Sequence, residues 1–105
     1  MVKWTPQSEL DLDEIREHIA SNFNVDLAIE TVDELIDHIE KLLDQNPLAG
    51  SILESNPLFF KVIYKGNAVF YCENPKDRDI YVVYIRPCGT DLRSDRINAE
   101  DVALG

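Results

Sequence analysis

The sequence predicts an α+β domain: an N-terminal strand, then an antiparallel two-helix hairpin packed on a four-stranded, mainly antiparallel sheet. Three observations predict it. Helical spacing of apolar residues is confined to the first half of the chain, before Pro47. Runs rich in β-branched and aromatic residues are confined to the second half, from Leu58 to Arg86. Proline, glycine and asparagine signals separate the segments. A length of 105 residues fits one domain, taken as 1–105, with residues 98–105 read as a frayed polar tail.

Residues 2–5 (VKWT) read as a short strand, which joins the sheet because Val2 and Trp4 would otherwise stay wet. Thr5 is a good helix N-cap and Pro6 suits the first helical position, so the first helix starts there. Leu12, Ile15 and Ile19 recur at helical spacing, with Leu10 near the entry, and residues 21–24 (SNFN) break the pattern. The second helix is expected from about Asp26, read as its N-cap, to Asn46. Its apolar stripe is Ala28, Val32, Leu35, Ile36, Ile39, Leu42 and Leu43, and acids cover the rest. Asn46-Pro47 ends it, because a residue before proline is pushed out of the helical region. Residues 58–64, 68–73 and 79–86 then read as a three-strand meander, with turns at Lys65-Gly66-Asn67 and at residues 74–77 (NPKD). With only two helices to cover the sheet, one face is expected to be core and the other an open surface for a partner.

Twenty acids against ten bases give a net charge of −10, which repels phosphate on average and argues against a nucleic-acid or anionic-membrane binder. No apolar run approaches the about 20 residues of a membrane helix, and the N-terminus lacks a signal-peptide pattern. The charge is uneven: residues 1–46 hold 12 acids and 3 bases, whereas residues 58–96 hold 5 acids and 7 bases. An anion-facing site would therefore lie on the sheet side. Cys72 and Cys88 lack metal-ligand or CxxC spacing and read as free thiols of a reducing cytoplasm, with a disulfide the less favoured alternative. Glu14/His18 and Glu34/His38 stand at i, i+4 spacing; di-iron sites use i, i+3, so these pairs read as exposed and no metal is expected.

Four stretches carry a resemblance. VKWTPQSELDLDEIREHIA is similar to a hydrophobic strand followed by a proline start and a "DL..I..yI" helix. LLDQNPLAG resembles an "L..nP..G" helix exit. NAVFYCE resembles a "y.v.Y" strand, with Tyr71 at its tyrosine. DIYVVYIRPCGTD resembles a final "i.il.v.h..rD" strand, with Arg86 near its end and Asp91 at its close. In this order, over residues 2–93, they resemble the RelE/ParE toxin superfamily of type II toxin–antitoxin systems, the ParE kind more than the RelE kind. The resemblance implies a cytoplasmic toxin, associated with plasmid stabilization and growth inhibition and neutralised by a cognate antitoxin. A ParE-like member binds a protein target, DNA gyrase, and has no known hydrolytic chemistry. A RelE-like member is a ribosome-dependent mRNA endoribonuclease. A decayed, non-toxic member is a third reading.

Cleavage of RNA requires an activated 2′-hydroxyl, a neutralised phosphate and a protonated leaving oxygen. Lys61, Lys65, Arg86 and Arg93 are the residues that would stabilise phosphate in that reading, with Arg96 beyond them. Asn67 or Ala68 stands where RNA-cleaving relatives carry a phosphate-binding arginine, and the tail CGTDLRSDR has no Tyr or His as acid or base. The gyrase-directed reading therefore ranks first, with Arg86, Asp91 and Arg93 as target-binding candidates. No cofactor and no direct nucleic-acid affinity in isolation are expected. The acidic second helix implies an antitoxin segment rich in Lys and Arg.

Overall fold

The structure is a computed structural model that describes residues 1–53 and 58–87. Cys88, Asp91, Arg93, Arg96 and the expected tail at 98–105 lie outside the described residues. The elements are β1 (Val2–Trp4), α1 (Pro6–Asn22), α2 (Val25–Gln45), β2 (Ser51–Ile52), β3 (Phe60–Tyr64), β4 (Asn67–Glu73) and β5 (Ile80–Pro87). The sheet order is β1-β5-β4-β3-β2, with β1 parallel to β5 and the other neighbours antiparallel.

Thr5 caps α1 as expected: its hydroxyl accepts the Ser8 N–H at 3.2 Å, and Pro6 follows in the first turn. The cap of α2 is Asn24, not Asp26. The Asn24 side-chain oxygen accepts the Leu27 N–H at 2.7 Å. Asp26 instead lies in the first turn, where its charge faces the positive end of the helix dipole. The chain leaves α2 at Asn46, before Pro47.

Among the described residues the sheet has five strands rather than four. The additional strand, β2, is two residues long, too short to leave a hydropathy pattern, and pairs Ser51 with Lys61 and Ile52 with Phe60. Gly50 permits that approach. A Cβ there would lie 2.6 Å from the Lys61 carbonyl oxygen and 2.8 Å from the Tyr71 hydroxyl, which accepts the Gly50 N–H at 2.8 Å. Between β3 and β4 the two turn residues Lys65 and Gly66 both have positive φ, 45° and 81°, as a two-residue hairpin of the type I′ kind requires.

The helices pack on one face of the sheet. Leu12, Val32, Leu35, Ile39 and Leu43 meet Val2, Val69, Tyr71, Ile80, Val82 and Ile85 there. The opposite face is not the open surface expected. Ala68, Phe70, Cys72, Val83 and Tyr84 are buried on it with Phe59, and Leu53 packs against them. The physical reason is in the strands themselves. β4 and β5 are near-continuous apolar runs (AVFYC and IYVVYI), the pattern of strands covered on both faces. An irregularity between Phe70 and Tyr71 leaves Val83 without a register partner, so Val83 and Tyr84 both join this second cluster.

Candidate functional site

β1 reaches along β5 only from Ile80 to Val82. Beyond it, the outward backbone groups of β5 need other partners, because buried unpaired peptide groups are costly. α1 supplies them. The Thr5 N–H donates to the Val82 carbonyl at 3.1 Å, and the Thr5 hydroxyl donates to the Val83 carbonyl at 3.3 Å. The Asp11 carboxylate accepts the Ile85 N–H at 2.9 Å. The first two turns of α1, with its cap, thus complete the strand edge where β1 ends.

Asp11 is only 2% exposed, and three donors converge on it: Ile85 N–H, Gln7 Nε2 at 2.9 Å and Arg86 Nη1 at 3.1 Å. Burial pushes its carboxyl pKa above the usual aspartate value, against the lowering effect of the Ile85 N–H, the Gln7 amide and the Arg86 charge. The Arg86 side chain is 23% exposed, with its guanidinium carbon 5.0 Å from the centre of the Tyr84 ring. Its Nε is buried without a hydrogen-bond partner among the described residues.

Among the described residues, the candidate bases Lys61, Lys65 and Arg86 are therefore not brought together by a shared partner. Arg86 is turned onto Asp11. Lys65, in the β3–β4 turn, is turned onto Glu34 of α2 at 2.9 Å, and that carboxylate holds the ammonium pKa above the usual lysine value. Lys61 sits half-buried on β3 opposite Phe70 and makes no ion pair among the described residues. Arg93 and Asp91 lie outside the described residues. His38 stacks on Tyr64 with ring centroids 4.1 Å apart, and His18 lies on exposed α1 beside Asn22. No group of three side chains able to hold a metal occurs among the described residues. Tyr71, the strand tyrosine of the resemblance, is fully buried and stacks on Phe60 at 5.4 Å; burial raises its pKa, so the phenol remains neutral. It supports the sheet and does not face solvent.

Sequence reasoning missed Asp11. The signal was the acid of the "DL" pair, one residue before the first buried leucine of α1. A charge at the border of an apolar stripe has a structural reason when a strand edge nearby lacks a partner. No helix among the described residues is long and apolar enough to cross a membrane.

The model of the ParE toxin of type II toxin–antitoxin systems (parDE) matches residues 2–92. Among solved structures, the fold is similar to a chain of the chromosomal ParDE toxin–antitoxin system from P. aeruginosa. The identity is 20%, the TM-score is 0.72, and the match covers 82% of this chain and 92% of that one. It is also similar to a chain of the RelBE2 toxin–antitoxin complex from Mycobacterium tuberculosis, at 13% identity and a TM-score of 0.62, covering 83% and 95%. No curated protein sequence matches the chain. At these identities the solved structures establish the shared fold, and the family match over nearly the whole described chain establishes the rest: the chain belongs to the ParE toxin family of type II toxin–antitoxin systems.

Proposed function

We infer that the protein acts as a ParE-like toxin that binds DNA gyrase and is neutralised by a cognate antitoxin in the cytoplasm. The observation that supports a protein target over RNA is the pairing of two of the candidate bases with carboxylates of the helices. Arg86 is bound to the buried Asp11 carboxylate, and Lys65 forms an exposed ion pair with Glu34, so each already has a counter-charge within the protein. A ribonuclease of this fold needs converging cations at the scissile phosphate and an acid or base beside them. The target-facing surface is proposed to be the end of β5 and the residues after it, 86–93, which include Arg86, Asp91 and Arg93. In this reading the ion pair of Arg86 with Asp11 holds the end of β5 against α1. The buried second face of the sheet supports an antitoxin that docks on the helices rather than across β4 and β5.

Controlled expression in bacteria tests the proposal. The expected result is growth arrest with induction of the DNA-damage response and intact transcripts, relieved by co-expression of the antitoxin encoded beside the toxin. Shortening of translated messages at codon-linked positions, weakened by Arg86→Ala, overturns it in favour of the endoribonuclease. Normal growth overturns it in favour of a non-toxic member.

A further inference from the structure

A cleft of about 350 Å³ lies where β1, α1 and α2 meet. Trp4, Leu12 and Ile36 supply its apolar lining; Glu9 and Glu40 stand at it without ion-pair partners among the described residues. A third carboxylate, Asp13, is neutralised by Arg16 at 2.7 Å. The Trp4 indole nitrogen is buried and has no hydrogen-bond partner among the described residues. A buried N–H without an acceptor is costly and uncommon in a folded protein. Two free carboxylates around an aromatic ring call for a cation, and guanidinium suits both the ring face and the carboxylates.

A peptide residue that carries a guanidinium or ammonium satisfies the demand for a cation. The surroundings favour a peptide over a free cation. Ile29 is seven residues before Ile36, hence on the same side of α2, and is 49% exposed; Val25, four residues earlier, is 61% exposed. An apolar track therefore leads from the tip of the helical hairpin to the cleft. The charge of the partner follows from the chain: residues 1–46 hold 12 acids against 3 bases. All three bases are already engaged, Lys3 with Asp79, Arg16 with Asp13 and Lys41 with Asp37. A second copy of so acidic a surface would be repelled.

We propose that the cleft of Trp4, Glu9 and Glu40 is the anchoring pocket for an arginine or lysine of a basic, amphipathic antitoxin segment lying along α2. The proposal rests on the antitoxin-neutralised reading above. It adds the place, the anchoring side chain and the partner residue type.

Trp4 is the only tryptophan, so its indole N–H gives one resonance in the labelled full chain. The probe is the tripeptide acetyl-Ala-Arg-Ala-amide, compared with its neutral citrulline counterpart. The expected result is a saturable shift of the Trp4 resonance with the arginine peptide and none with the citrulline peptide. Glu40→Gln should weaken that binding about threefold or more, whereas Glu30→Gln, which removes the same charge from an exposed part of α2, should leave it unchanged. No movement at the solubility limit of the peptide overturns the proposal. So does equal movement with citrulline, or equal weakening by Glu30→Gln, which would show a general field effect. The two readings fail separately. Growth arrest without peptide binding removes the pocket alone; peptide binding without growth arrest removes the toxin reading and leaves the pocket.

Discussion

Replacing Asp11 should damage the fold far more than its surface neighbour Asp13, although both are aspartates of the same helix. In Asp11→Ala the Ile85 N–H loses its acceptor inside the protein, which costs about 1–3 kcal/mol. The Arg86 guanidinium loses its partner as well. Because its side chain is 23% exposed, water recovers part of that loss, and the added cost is about 1 kcal/mol. The sum is about 3 kcal/mol, a large share of the roughly 5–15 kcal/mol that stabilises a domain of this kind. It corresponds to a drop in Tm on the order of 15 °C. Asp11→Asn keeps an oxygen for Ile85 and should cost about 1 kcal/mol, while Asp13→Asn should stay within about 0.5 kcal/mol of the parent.

The pH dependence adds a second readout. Burial raises the folded-state pKa of Asp11 above its unfolded value, so the folded state takes up the proton first. The stability contributed by this titration is fully present below the unfolded pKa, near the ordinary aspartate value. It is lost as pH rises through the folded pKa. The stability difference between the parent and Asp11→Asn should therefore shift in favour of the parent on acidification through that window. Urea unfolding followed by Trp4 fluorescence measures both effects. An Asp11→Ala variant as stable as Asp13→Asn, or a parent-to-Asn difference that does not change with pH, would refute the reasoning.

Other expectations follow from close contacts and burial. Gly50→Ala must displace β2 from the Lys61 carbonyl and the Tyr71 hydroxyl and should cost about 1–3 kcal/mol in urea unfolding. Tyr71→Phe, which leaves only the Gly50 N–H unpaired, should cost about 1 kcal/mol. Gly66→Ala meets no atom within 4 Å, so its expected cost of about 1 kcal/mol comes from the positive φ of 81° alone. Burial raises the Cys72 thiol to about 11. In a Cys88→Ser background Cys72 should therefore resist a thiol reagent at pH 8 and react on unfolding; rapid native-state labelling would contradict its placement.

Much of the fold was legible because local signals agreed with the packing. Thr5-Pro6 opened α1, Asn46-Pro47 closed α2, and Lys65-Gly66 made the hairpin turn, each for a backbone reason that needs no tertiary partner. β2 was not legible, since two residues leave no period; Gly50 was visible, but the carbonyl it approaches is on another strand. The closed second face was legible in principle. The runs AVFYC and IYVVYI lack the alternation of a one-sided sheet. The candidate site was the least legible part. Basic residues show in a sequence, but their counter-charges do not: Arg86 and Lys65 each found a carboxylate on a helix far away in the chain. Asp11 carries no signal of its own until the short reach of β1 leaves Ile85 without a partner.

The central claim is that this ParE-family domain, with Arg86 and Lys65 bound to its own carboxylates, acts on a protein and not on RNA. The most direct measurement adds the purified protein to DNA gyrase and supercoilable plasmid, with translating ribosomes and a defined message assayed in parallel. The account predicts dose-dependent loss of supercoiling with the message left whole. A message cut in the ribosome while gyrase works undisturbed would contradict it.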